Sequence, residues 1–200
     1  MNEFIEAIQS HGLTPPASIE PGKIHRFPGM DKSAGNTAGW CKLFDDGLGG
    51  VFGDYSTDLS TTWQAKRETP FSQAEREAFK RQIVEAQKQR EADERARHAE
   101  AAEKAAQIWK AETPAHDDFP YLLRKGIKAN GARLHNGLLV IPLRDGGKIC
   151  SLQFIDADGS KKFLPGGRVT GCYFSLGTTK GAAALCVCEG YATAASIHEA

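Results

Sequence analysis

Glu189 is the residue whose setting points most directly to chemistry. It follows the apolar run Ala184–Cys188 and precedes Gly190 and a helical stretch that begins at Tyr191. That order puts a carboxylate at the carboxyl end of a strand, where open α/β sheets hold their ligands. Gly190 would let the backbone turn directly into the helix. A carboxylate so placed can act as general acid or base, or help to hold a metal ion. It can equally be a carboxylate favoured by the positive end of a helix dipole. A second group is Lys161-Lys162-Phe163-Leu164-Pro165-Gly166-Gly167-Arg168. Two lysines, a ring and a glycine-flanked arginine can meet phosphate and a stacked base together. Solvated charge on a hairpin has the same composition. Arg144 lies in the same basic stretch and joins Lys161, Lys162 and Arg168 as a candidate phosphate contact.

Other reactive residue types are present without the spacing that chemistry needs. Asp156-Ala157-Asp158 has a metal-binding spacing, but Asp-Ala-Asp-Gly between two strands is ordinary turn chemistry, which is the favoured reading. The five cysteines, Cys41, Cys150, Cys172, Cys186 and Cys188, contain no CxxC pair. They read as reduced thiols of a cytoplasmic protein. Cys186 and Cys188 would alternate along one strand and point to one side, as core residues do. His25 and Cys41 alone cannot close a four-ligand zinc site. Gly177-Thr178-Thr179-Lys180-Gly181 lacks the spacing of a phosphate-binding loop, and no Ser–His–Asp arrangement suggests itself.

The elements that must position these groups fall into three compositional segments. Residues 1–66 open with an amphipathic helix carrying Phe4, Ile5 and Ile8 and ending near Gly12. Prolines and glycines then exclude long helices, and short strands are expected at Lys23–Phe27, Gly39–Phe44, Gly50–Asp54 and Thr61–Ala65. The stretch from Asp45 to Gly50 supplies hairpin chemistry between two of them. A second segment, about 70–112, reads as one long helix. Ser72 and Glu75 form its capping box and Thr113-Pro114 end it. About 40 residues would span roughly 60 Å. Between Gln87 and Gln107 its only apolar residues are alanines. Helix propensity and i,i+4 ion pairs would hold that middle as a solvated spacer, without a coiled-coil stripe. The third segment begins at Asp117. It holds a short capped helix closed by Gly126, then strands at Leu138–Leu143, Ile149–Ile155, Lys161–Leu164, Cys172–Leu176 and Ala184–Cys188. Turns are expected at Asp145-Gly146-Gly147 and at 156–159.

The whole chain balances 25 Lys and Arg against 25 Asp and Glu over 200 residues. That neutrality hides an asymmetry. Residues 1–65 carry four basic and eight acidic side chains, whereas residues 120–170 carry nine basic and three acidic ones. A local basic excess attracts polyanions even on a neutral chain. Apolar residues make up 40% and the mean hydropathy is −0.41, which fits a soluble folded protein rather than a disordered one. The longest apolar runs, Leu138–Leu143 and Ala182–Cys188, fall far short of the ~20 residues of a membrane span. The N-terminus is acidic and amphipathic, unlike a secretory signal.

Taken in order, residues from about 119 to 200 resemble the core of bacterial-type DNA primases. "YLLRKGI" is similar to the helix and turn those enzymes place ahead of their core. "LLVIPLRDGGKICSLQFI" resembles their strand-hairpin-strand, and "KKFLPGG" stands where they carry a phosphate-facing K-Y/F-L motif. "LCVCEGYATAASIHEA" resembles the first motif of the Toprim domain, a strand ending in Glu-Gly before a helix. "PGKIHRFPG", "AGWCKLF" and "GGVFGDYS" look like the leading module of Toprim primases from phages and mobile elements, often fused to helicases.

The resemblance implies an α+β protein. It would have a β-rich module over 1–66, a connecting helix over 67–113, a basic β subdomain over 114–182, and the start of a Toprim domain over 183–200. It implies that Glu189 handles a proton during nucleotidyl transfer and is a possible magnesium ligand. Lys162, with Lys161 and Arg168 beside it, would face phosphate. The partners implied are single-stranded DNA, ribonucleotides and a fused or separate helicase, with no membrane. In the family, Mg²⁺ is held by an Asp-x-Asp that follows the glutamate, activating the 3′-hydroxyl and the leaving pyrophosphate. Asp156 and Asp158 precede Glu189 and cannot be that pair. The chain is therefore expected to be either a fragment of a longer primase or a truncated product lacking the full metal site. Zinc is not expected, because the N-terminal module lacks the Cys/His set of primase zinc ribbons; as a counterpart of that module it would have lost zinc or would read DNA through its aromatic residues. The alternative class is a non-catalytic module that binds nucleic acid or docks a partner.

Overall fold

Two antiparallel sheets organise the chain, and one long helix contributes a packing face to each. The computed structural model describes residues 2–67, 69–178 and 180–200. Met1, Glu68 and Thr179 lie outside them. The chain divides into two compact units, one up to Asp93 and the other from Glu94 onward. The architecture is α+β, as the sequence implies.

In the first unit, α1 (Asn2–Ser10) is followed by β1 (His25–Phe27), β2 (Gly39–Leu43), β3 (Gly49–Asp54) and β4 (Leu59–Gln64). The four strands pair antiparallel in chain order. Phe4 and Ile8 stand four apart on α1, so they share one side of the helix. They bury against Cys41, Leu43 and Phe52 on one face of the sheet. Trp40, Phe44 and Val51 point to the other face and meet Ala86 of the long helix. Both faces are covered, so every residue of β2 and β3 is buried. Burial in this apolar core pushes the Cys41 thiol up to about 12,.

Asp54 is fully buried at the end of β3. Its carboxylate accepts the Met30 N–H at 2.7 Å, the Ser56 N–H at 2.7 Å and the Ser56 hydroxyl at 2.8 Å. Burial pushes its pKa up, but the Ser56 and Met30 N–H groups, the Ser56 hydroxyl and the nearby Lys32 outweigh it and hold the group below its ordinary value. A depressed carboxyl stabilises the fold above its unfolded pKa of about 3.9, and that contribution is lost as pH falls through the lower folded value. Asp54→Ala is expected to cost about 2–4 kcal/mol at neutral pH, because two backbone donors lose their partner. Urea denaturation is expected to show the gap to wild type narrowing as the solution is acidified below the unfolded pKa.

The long helix, α2, runs from Gln73 to Ala111. Its capping box forms as the sequence implies. The Glu75 N–H donates to Ser72 Oγ at 3.3 Å, and the Ser72 N–H donates to Glu75 Oε2 at 2.8 Å. Arg67, also 2.8 Å away, and Ser72 together hold the Glu75 carboxyl down at about 2. Most of α2 is exposed. Its alanines nevertheless do more than supply propensity: Ala86 seats on the first sheet, and Ala101 and Ala105 seat on the second against Val140, Leu152 and Leu164. A side chain of one carbon lets the helix backbone approach the sheet closely. Both packing seats lie on α2, and the division between the units therefore falls inside it. At its carboxyl end, Arg133 donates to the Trp109 and Glu112 carbonyls and lies over the Trp109 ring at 4.5 Å. A cation at this end also suits the helix dipole.

The second unit holds β5 (Thr113–Pro114), α3 (Pro120–Lys125), β6 (Arg133–His135), β7 (Leu138–Asp145), β8 (Lys148–Ile155), β9 (Lys161–Phe163) and α4 (Tyr191–Glu199). The five strands pair antiparallel in chain order. Leu139, Ile141 and Ile155 face Tyr121 and Leu122 of α3 and Tyr191 and Ala195 of α4. Val140 and Leu152 face the opposite side, where α2 lies. The β7–β8 turn uses Gly146 and Gly147, at φ +52° and +86°. Positive φ at both positions is what a two-residue hairpin needs, and glycine adopts it without strain.

Several sequence expectations are corrected. Ala184–Cys188 forms no strand. Leu185 and Val187 are 73% and 90% exposed, and Cys186 is exposed rather than core. An apolar run becomes a buried strand only beside partner strands, and none of the described strands pairs with it. Cys172–Leu176 is reduced to one bridge between Tyr173 and Arg144. Helix α3 has Phe119 as its N-cap and no side-chain cap bond, so the side-chain capping expected at its start does not form; its end at Gly126, φ +64°, is as expected. Strands β5 and β6 are too short to leave a sequence pattern. Among the described residues no helix is long and apolar enough to cross a membrane.

Candidate functional site

The turn that carries Glu189 is fixed by α4, and α4 is fixed at both ends. At its start, Tyr191 is buried and its hydroxyl donates to the Ala129 carbonyl, with the Lys128 carbonyl 3.3 Å away. Burial pushes the Tyr191 phenol well up, so it stays a donor,. At its end, the Glu199 carboxylate accepts the Lys128 N–H at 2.8 Å and the Asn130 side-chain amide. These donors hold Glu199 below the ordinary carboxylate range.

Gly190 is the N-cap of α4, at φ −141° and ψ 149°, with no side-chain cap bond. Glu189 therefore stands one residue outside the helix and is not its capping carboxylate. Gly190 is extended, a conformation open to any residue, so the expected need for glycine in the turn does not arise from φ. Nor does space require it: a Cβ at Gly190 would meet only the Lys161 Nζ, at an ordinary contact distance of 3.7 Å, which sets Lys161 beside the turn. Glu189 is exposed, and among the described residues it makes no hydrogen bond or ion pair.

Lys161 opens β9, where it pairs with Ile155. Side chains alternate across a strand, so Lys161 points to the face that carries α3 and α4. On that face lies a small cleft of about 160 Å³ lined by Tyr121, Arg124, Lys125, Asp158, Gly159 and Lys161. Arg124 donates to the Ala157 carbonyl at 2.9 Å and lies 5.8 Å from the centre of the Tyr121 ring. Asp156 holds the wall of the cleft as a turn: its carboxylate accepts the Ser160 N–H at 2.8 Å, and its carbonyl accepts the Gly159 N–H at 3.0 Å. The Asp-Ala-Asp-Gly segment is thus turn chemistry, and only Asp158 lines the cleft. Three cations, one carboxylate and a ring edge gather here, beside the Glu189–Gly190 turn. Such a site can hold a phosphate group next to a proton-transferring carboxylate.

The other candidates from sequence lie elsewhere. Lys162 pairs with Phe154 and points to the opposite face of the sheet, exposed. Arg144 and Arg168 sit at the far end of the β7–β8 hairpin. That end is six residues along β8 from Ile155, or about 20 Å at the strand rise. Arg144 donates to the Gly147 carbonyl at 2.9 Å. Arg168 is ion-paired with Asp145 and lies 3.5 Å from the Cys150 sulfur. The structure thus brings Lys161 to the Glu189 turn and separates Lys162, Arg144 and Arg168 from it. Arg124 and Lys125 were legible in the basic stretch but carried no assignment. Their signal was a helix ending in Arg-Lys-Gly that the sheet core must pack beside Lys161.

The aromatic residues of the first unit do not present a stacking surface as a group. Phe27, Trp40, Phe44 and Phe52 are buried in its two cores. Nor is a carboxylate cluster for magnesium assembled among the described residues. Mg²⁺ is usually held by one or two carboxylates together with substrate phosphates, and no group of three or more His, Cys, Asp or Glu side chains gathers among the described residues.

No family model matches the chain, and no solved structure matches it. Two curated proteins, both called DNA primase TraC and both from Escherichia coli, are similar to it along its length. One is 29% identical over 216 residues, covering 100% of this chain and 20% of its own. The other is 30% identical over 214 residues, covering 99% of this chain and 15% of its own. The chain spans a fifth or less of these relatives, and its likeness to them is primase-like.

Proposed function

We propose that this chain is the leading part of a DNA primase of a phage or mobile element, a cytoplasmic enzyme that joins ribonucleotides on a single-stranded DNA template. The observation that carries the reading is the cationic cleft of Arg124, Lys125 and Lys161 beside the exposed Glu189 turn. Likeness to proteins called primases supports it over the whole chain. In this reading Lys161, Arg124 and Lys125 hold a phosphate of the incoming nucleotide or primer end. Glu189 takes or returns the proton of the attacking hydroxyl. Lys162 on the edge strand, with Arg144 and Arg168 at the hairpin end, guides the template strand. A helicase, fused or separate, is the expected partner. Magnesium belongs to the proposed reaction of the longer protein, with ligands beyond those gathered here.

The test is primer synthesis. The full-length protein is expected to make short RNA on single-stranded DNA from ribonucleotides, and failure to do so would sink the reading. A second reading, a binding module without catalysis, is favoured by the absence of a carboxylate cluster among the described residues. It predicts single-stranded DNA binding and no primer. Within the primase reading, Lys162→Ala is expected to lower the slope of log affinity against log salt by about one. Arg168→Ala is expected to change it less, because Asp145 already partners that guanidinium. Fluorescence anisotropy with a labelled oligonucleotide across a salt series measures both, and equal effects would contradict the assignment.

A further inference from the structure

In the first unit, the sheet face beneath the 86–93 stretch of α2 collects cations without matching carboxylates. Trp40 and Lys42 stand two apart on β2 and so share one face. Trp40 meets Ala86 of α2 there, and the Lys42 ammonium donates to Gln89 Oε1 of the same helix. Arg26 lies opposite Trp40 on β1 and is ion-paired with Asp93, one turn beyond Arg90 on α2. The Arg26 guanidinium lies over the Tyr55 ring at 4.3 Å. That of Arg90 lies 5.8 Å from the same ring and 5.4 Å from the Trp40 ring. Three cations thus face one carboxylate, Asp93. Lys42 is only 8% exposed, yet its partner is a neutral amide. Among the described residues no carboxylate pairs with Lys42 or Arg90. The Trp40 indole N–H and the Nε–H groups of Arg26 and Arg90 are also buried and meet no acceptor. A buried donor without an acceptor is costly, and a buried cation without a counter-charge more so.

We propose that these groups form a phosphate-binding site of the first unit, in which Arg26, Lys42 and Arg90 supply the charge and the Trp40 N–H a neutral donor. Water would supply acceptors but no charge; an anion supplies both. The donors come from two strands and a helix, so the anion must accept from several sides. A tetrahedral phosphate does that, and the guanidinium fork matches its oxygens. A planar carboxylate presents two oxygens along one edge. With Asp93 already in place, two positive charges are left. A phosphate group, at about −1.5 to −2 near neutral pH, balances them. Arg90 is half-buried, so solvent reaches the cluster along it. Free phosphate and the backbone of single-stranded nucleic acid both present this chemistry. The site uses no residue of the Glu189–Lys161 cleft and does not depend on the role given to that cleft.

The experiment labels the arginines of the wild-type chain with phenylglyoxal and maps them by mass spectrometry. Inorganic phosphate is titrated against chloride at constant ionic strength. Labelling of Arg90 is expected to slow saturably, by about tenfold at about ten times the half-protecting concentration, and Arg26 with it. A short single-stranded oligonucleotide without terminal phosphates is the second probe. Protection of Arg90 by inorganic phosphate alone assigns a free phosphate, and stronger protection by the oligonucleotide assigns the backbone; either result upholds the site. An Arg90 labelled at the same rate under both probes, or protected equally by chloride, overturns it. Protection confined to Arg124 also overturns it, and leaves the reading of the second unit's cleft standing. In Lys42→Gln the half-protecting concentration is expected to rise about tenfold, with Lys42→Arg close to wild type. An unchanged value in folded Lys42→Gln overturns the role given to that lysine. The wild-type map decides the proposal whether or not a variant folds.

Discussion

Glu189→Gln in the full-length protein is expected to lower ribonucleotide incorporation on single-stranded DNA by about a hundredfold or more, the usual worth of a general acid–base group. Glutamine keeps the shape of the side chain and removes its proton chemistry. Glu189 is exposed and makes no hydrogen bond or ion pair among the described residues, so the substitution has no structural partner to disturb. Stability is expected to stay within about 0.5 kcal/mol of wild type. Single-stranded DNA affinity is expected to hold or rise slightly, since a negative charge leaves a cationic surface. This separation is informative: lost synthesis with intact binding and fold marks a group that acts on the reacting atoms. Primer synthesis by the glutamine variant at the wild-type rate would remove Glu189 from the chemistry.

The second large effect concerns folding. Ala105 is fully buried between α2 and the sheet, against Val140, Leu152 and Leu164. Ala105→Asp would place an unpaired carboxylate in that layer, and is expected to destabilise the second unit by about 3–5 kcal/mol. Ala106, the next residue, is exposed on the same helix. Ala106→Asp should therefore cost little, with both read from the urea transition of the second unit. Near-equal losses would mean that the helix is held by propensity alone and does not pack through its alanines.

That contrast shows why the helix was only half legible. Ser72, Glu75 and the proline at 114 mark its ends, because capping is a local hydrogen-bond pattern. Its burial is not local: alanine is equally at home in water and under a sheet, and Ala101 and Ala105 become core only because Val140 and Leu152 arrive opposite them. The hairpins were legible for the opposite reason. Gly146, Gly147 and the Asp156–Gly159 turn impose their geometry within four residues. The apolar character of Ala184–Cys188 suggests a strand, but a strand needs neighbours, and the described strands leave it none. Lys161 and Lys162 form one basic pair in the sequence. Strand alternation sends them to opposite faces, and only Lys161 meets the Glu189 turn. The cleft itself depends on α3 and the 156–159 turn folding to one place, a long-range outcome that no spacing in the sequence displays.

The most direct test of a shared Glu189–Lys161 site is photo-crosslinking of an azido-ribonucleoside triphosphate to the folded chain, followed by peptide mapping. Adducts are expected on the peptides that carry residues 121–125, 156–161 and 188–191, competed by unlabelled nucleotide. Adducts confined to residues 1–66, or to the Arg144–Arg168 end of the hairpin, would contradict it.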